Sequence, residues 1–245
     1  MIIFDEHNRI FRSIKMIRIP FIFIMLSHLS PVVNSAETGF GLKLTALDHY
    51  VREPDSNYSY QVINTLDGNG YQAFILEMTS QQWLTEREVN FPIWEHYMVV
   101  VVPDKLSSDI GFLTISGGSR TNEAPNSAPL ADIKRALETG TAVSTLYMVP
   151  NQPLIFSDNN GLQRTEDSVI AYTWDKYLKT GDEKWPLRLP MTKAAVRAMD
   201  TVSDLLLSDE GGERRVDKFV VAGGSKRGWT TWTTSSTTSR STTRR

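Results

Sequence analysis

Cysteine does not occur in this sequence. That excludes disulfides, cysteine-zinc sites and thiol catalysis, and says little about compartment. Neither sign of charge dominates. The net charge is −2, so neither nucleic acid nor an anionic membrane is indicated as a partner. Histidine is scarce: only His7, His28, His49 and His96 occur, and no Asp or Glu follows Asp217. No apolar run reaches the roughly 20 residues of a membrane-spanning helix. What is left is an ordinary globular composition, 40% apolar and 22% charged over 245 residues. That is enough chain for one sizeable core or two small ones.

Ile17 to Leu29 is mostly apolar, has Lys15 and Arg18 at its start, and leads through Ser-Pro to the small residues Val33-Asn34-Ser35-Ala36. This pattern predicts a secretory signal peptide over 1–36, cut after Ser35 or Ala36, and hence an extracellular protein with no membrane span. Met16 is an alternative start, which would make Met1 to Lys15 an upstream leader. An N-terminal anchor helix is the competing reading. Secretion would expose one glycosylation sequon, Asn57-Tyr58-Ser59.

The stretch that organises the chain is Phe219-Val220-Val221-Ala222-Gly223-Gly224-Ser225-Lys226-Arg227-Gly228-Trp229. A short apolar run ends in small residues and meets a serine at once. Such a pattern predicts a buried strand that turns sharply into a helix with the hydroxyl at the apex, and glycines let the backbone close up around it. The pattern is G-x-S-x-x-G rather than G-x-S-x-G, because Arg227 stands where the second glycine would be. Ser225 is the candidate nucleophile. A plain structural turn and a phosphate cradle at a helix N-terminus are the alternatives.

Upstream, apolar spacing places a short helix at Leu44 to Val51. A β-hairpin is expected from Gln61 to Leu66 and Tyr71 to Met78 around Asp67-Gly68-Asn69-Gly70. Trp94 to Val102, with four consecutive valines, reads as a strand buried on both faces. Strands follow at Ile110 to Ser116 and Ala142 to Val149. Helices follow at Leu130 to Leu137, Glu166 to Leu178 and Met191 to Leu207. Strands alternating with helices after a hairpin predict an α/β fold, a mostly parallel sheet with an opening antiparallel hairpin, over 37–232. Residues 233–245 hold no apolar side chain. They read as a low-complexity Thr/Ser/Arg tail that breaks the helix expected after the elbow.

GGSKRGWTTW (Gly223 to Trp232) resembles the signature of the PhoPQ-activated pathogenicity-related proteins, whose eukaryotic relatives include the autocrine proliferation repressors of social amoebae. TALDHYV from Thr45, MTSQQWLTEREV from Met78, ISGGS from Ile115, MVPNQPLIF from Met148 and the long segment Glu166 to Asp200 resemble that family in the same order. The likeness covers Leu44 to Trp232. It implies a secreted protein with an α/β-hydrolase-like fold and leaves the substrate open. The tail after Trp232 departs from the family, as a truncation or a misread frame would, with a genuine disordered basic tail as the alternative. A similar shifted elbow occurs in glucuronoyl esterases, so the late glycine is compatible with ester hydrolysis.

A serine hydrolase of this class needs an Asp or Glu and a His after the serine. Here there is none, so the sequence carries at most half a catalytic site. His49 and His96 read as surface or packing residues. The oxyanion hole is better provided. One donor is the Lys226 backbone N–H, and the loop Gly117-Gly118-Ser119 is placed to supply the second, with a plain strand-end turn as the alternative. Lys226 and Arg227 are candidates to hold an acidic substrate group or to solvate a helix end. The tryptophans, Trp174 and Trp229 among them, read as packing residues. Asp158-Asn159-Asn160-Gly161 lacks the later glutamate of a calcium loop, and no cofactor or metal is expected. The function expected is a serine esterase-type hydrolase, inactive as it stands, acting on a small-molecule ester. The alternative is a proliferation-regulating factor that uses the fold to bind a cell-surface partner.

Overall fold

The computed structural model describes residues 43–241, and the side chains as far as 237. The signal-peptide reading therefore lies outside the described residues. The chain opens with α1 (Ala46–Arg52), whose start is fixed by a reciprocal capping box between Thr45 and Asp48. The hairpin follows as β1 (Ser59–Gly68) and β2 (Tyr71–Gln82), with Gly68 paired to Tyr71 across a tight turn. Gly70 takes φ +84°, which glycine adopts freely. Next come β3 (Ile93–Pro103), β4 (Ile110–Ile115), α2 (Leu130–Thr139) and β5 (Val143–Leu146). A two-stranded hairpin that the periodicity did not signal, β6 (Leu154–Ile155) with β7 (Gln163–Arg164), brackets the Asp158–Gly161 turn. It precedes α3 (Glu166–Thr180), α4 (Arg188–Leu207), β8 (Lys218–Gly223) and α5 (Lys226–Ser241).

The main sheet runs β1-β2-β3-β5-β4-β8. Its strands β5, β4 and β8 are parallel to one another, while β1, β2 and β3 pair antiparallel and β3 meets β5 antiparallel. The valine run in β3 feeds both faces, as alternation requires. Met98, Val100 and Val102 join Phe74, Leu76, Ala195, Ala198 and Val202 in the larger core. Val99 and Val101 join Ile75, Val143 and Ala136 in a smaller one. Thus α4 covers one face and α2 the other. Ala194, Ala195 and Ala198 let α4 lie close to the strands, and most of its length is buried. Antiparallel strands leading into parallel ones, covered by helices on both faces, make an α/β fold with a strand–serine–helix turn on its last strand.

One expectation is corrected. The helix after the elbow does not break at Trp232 but runs on to Ser241. Its inner face is made by Thr230, Thr234 and Thr237, all buried. Each folds its hydroxyl back onto a carbonyl of the preceding turn, at 3.1 Å for Thr230 to Lys226 and 2.8 Å for Thr234 to Thr230. The polar atom is satisfied within the helix and the methyl faces inward.

Candidate functional site

The apolar run Phe219 to Ala222 forms β8, pairs in parallel with β4 and sets Gly223 opposite Ile115. The chain then turns through Gly224 and Ser225 into α5. Ser225 takes φ +53°, a conformation that costs a non-glycine residue about 1–3 kcal/mol. The shifted glycine has a steric cause. A Cβ on Gly228 would lie 2.9 Å from the Gly223 carbonyl oxygen, and one on Gly223 would lie 2.7 Å from the Arg227 backbone. The helix is therefore pressed against the last strand residue at Gly228. Gly224 has nothing within 4 Å of its notional Cβ. Ser225 is exposed, and its hydroxyl makes no hydrogen bond among the described residues.

The loops after β4 and β5 close beside this elbow. Ser116 donates to Leu146 O, Met148 to Gly117 O and Val149 to Ser116 O. Arg227 reaches back from α5 across Gly117. Its Nε donates to Val149 O at 2.7 Å and its Nη2 to Glu166 Oε1 at 2.6 Å. Lys226 Nζ pairs with Glu166 Oε2 at 2.6 Å and Asp167 Oδ1 at 3.2 Å. Gln152 completes the knot, donating to Glu166 Oε1 and to Gly118 O and accepting the Glu166 N–H. Burial alone would raise the Glu166 carboxyl, but the bonds from Arg227, Lys226 and Gln152 outweigh it and hold it down at about 2. Met148, Glu166 and Ser225 all carry positive φ, so backbone strain gathers around the elbow, as it does at sites held by their surroundings.

This geometry refines the sequence reading. Lys226 and Arg227 neither solvate a helix end nor stand free for an acidic substrate. Their side chains are only 12% and 14% exposed, and Glu166 engages both. The Ser119 N–H, offered as part of the oxyanion loop, is taken by Asn122 Oδ1 at 2.5 Å. The backbone N–H groups of Gly117, Gly118 and Lys226 remain as candidates, with no backbone acceptor among the described residues. His96 is not a base for Ser225. It is buried, its Nδ1–H donates to the Tyr147 carbonyl, and its Nε2 accepts from Ser80 at 3.0 Å. Burial lowers its pKa to about 4. His49 sits exposed on α1. Asn57 lies near the start of β1, with its side-chain amide on Asp55 Oδ1. Among the described residues no group of three or more His, Cys, Asp or Glu side chains is arranged to hold a metal. Likewise no described helix is long and apolar enough to cross a membrane.

Glu166 and Gln152 escaped the sequence reading as site residues. Nothing in their spacing marks them, although both lie in the segments that carried the family likeness. The sequence profile of the PhoPQ-activated pathogenicity-related proteins matches residues 47–242. The chain belongs to this family. The match continues past Trp232, where the sequence reading placed a departure from the family. Autocrine proliferation repressor protein A of Dictyostelium discoideum is 40% identical over 190 residues, covering 77% of this chain and 37% of the relative. The chain thus spans well under half the length of that relative. Among solved structures, a glucuronoyl esterase from Solibacter usitatus matches 80% of this chain and 54% of its own, at 14% identity and TM-score 0.44. An acetyl xylan esterase from Paenibacillus sp. R4 matches 80% and 53%, at 15% identity and TM-score 0.46.

Proposed function

We propose that this chain carries the nucleophile half of a secreted serine esterase. The observation that supports it most is the exposed Ser225 at positive φ on a strand-to-helix turn, with the Lys226 N–H beside it. In the proposed reaction the Ser225 hydroxyl attacks an ester carbonyl. The developing oxyanion is received by the backbone N–H groups of Lys226 and of Gly117 or Gly118, the alcohol leaves, and water releases the acid from the serine ester. The Arg227–Glu166–Gln152 knot holds the two donor loops in register. No Asp, Glu or His follows Ser225 in this sequence, and the 245-residue chain by itself is expected to cleave esters no faster than its Ser225→Ala variant.

The test is an ester-hydrolysis screen of the gene product purified from its native source, beside the 245-residue chain, each with a Ser225→Ala control. Activity in the native product that falls by about 10³-fold or more in the variant is expected. A folded native product that cleaves no ester would overturn the reading. Secretion is checked by N-terminal sequencing of protein from the medium, expected to begin after Ser35 or Ala36.

The name of the amoebal relative favours a second reading, a secreted factor that restrains proliferation through a cell-surface partner. Conditioned medium containing the Ser225→Ala protein separates the two. Restraint that survives the substitution supports binding alone, and restraint that is lost ties it to catalysis.

A further inference from the structure

Between α1, α3, α4 and α5 lies a cavity of about 360 Å³, walled by Leu47, Trp174, Tyr177, Leu189 and Trp229. It falls within the ~300–1,000 Å³ of small-molecule sites. The sequence reading took these tryptophans for packing residues, yet Trp229 is 48% exposed. One cation lines this apolar space. Arg188 is 6% exposed, and its guanidinium lies 3.9 Å over the Trp229 ring. Its Nη1 donates to Lys226 O at 2.7 Å. Its Nε is buried with no acceptor among the described residues. No described carboxylate pairs with it. Asp167, the acid that most favours its charge, already holds Lys226, and Glu183 in the lining is exposed. Burial pulls the Arg188 pKa down to about 10. A buried cation without an anion is destabilising as a rule, and a guanidinium is a matching partner for a carboxylate.

We propose that this pocket binds an apolar carboxylic acid, with its tail against Trp174, Tyr177 and Trp229 and its carboxylate on the guanidinium of Arg188. Charge complementarity selects the anion over a neutral molecule of the same shape, and the volume selects a tail of medium length. The assignment stands apart from the esterase reading, because nothing in it uses the Ser225 hydroxyl.

The test is calorimetric titration of the full 245-residue chain with decanoate and, separately, with decanol. Decanoate is expected to bind about tenfold or more tightly than decanol, the value of one charge-assisted contact. Arg188→Met should abolish that difference. Leu47→Trp, which fills the cavity while leaving Arg188 in place, should weaken both probes. Ser225→Ala should bind decanoate as the parent does, whether or not Ser225 is a nucleophile. Absence of decanoate binding, equal binding of the two probes by the parent, or undiminished binding by Leu47→Trp would overturn the proposal.

Discussion

His96 shows what one buried residue does when it is structural rather than catalytic. Both ring nitrogens are used, by Tyr147 O and Ser80, and the ring is neutral. Below about pH 6.5 the unfolded chain takes a proton on His96 that the folded chain refuses until about pH 4. Its folded pKa is depressed, so stability falls as the pH drops through that window, by a total on the order of 3 kcal/mol. Urea unfolding at a series of pH values should show this slope, and His96→Gln should flatten it. The elbow glycines give a sharper contrast. Gly228→Ala forces a methyl group to within 2.9 Å of Gly223 O and should cost about 1–3 kcal/mol. Gly224→Ala meets nothing and should change stability by less than about 0.5 kcal/mol. At this scale Ser225 and its glycines were legible, because strand-to-helix turns demand those residue types. Glu166 and Gln152 were not. Their role comes from four segments brought together by the fold, and local spacing encodes none of that.

At the scale of elements, α5 depends on what Arg227 and Lys226 hold and on what its threonines hide. Glu166 joins α3 to α5, and its carboxyl is held at about 2 against an ordinary 4.5. A depressed acid contributes fully above its unfolded pKa and loses its contribution as the pH falls from about 4.5 towards 2. The melting temperature of the parent should therefore drop through that window, and Glu166→Gln should remove this part of the drop. A parent curve identical to the variant's would deny the link. The inner face of α5 was misread because threonine was scored as polar. In a helix its hydroxyl can satisfy itself on the previous turn and leave a methyl to pack. Thr234 is fully buried. Thr234→Val should accordingly stay within about 1 kcal/mol of the parent, whereas Thr234→Lys should cost about 3 kcal/mol by burying an unpaired charge.

At the scale of the whole molecule, alternation of strand and helix was enough to foresee the α/β fold, since periodicity is a property of each element alone. The order of strands, and which loops meet at the elbow, are properties of pairing and were not readable in advance. The sheet order leaves β8 next to β4 alone among the described residues, with Val220 50% exposed. An open strand edge with an apolar residue invites pairing between copies. The 245-residue chain should therefore associate at rising concentration in light scattering, and Val220→Lys should suppress it. The central claim, that Ser225 is a poised nucleophile, is tested most directly by covalent labelling. Protein purified from its native source would be treated with a fluorophosphonate probe and the modified residue mapped by mass spectrometry. The account predicts a label on Ser225 that is absent from Ser225→Ala. A native, folded protein left unlabelled at Ser225, under conditions where a known serine hydrolase is labelled, would contradict it.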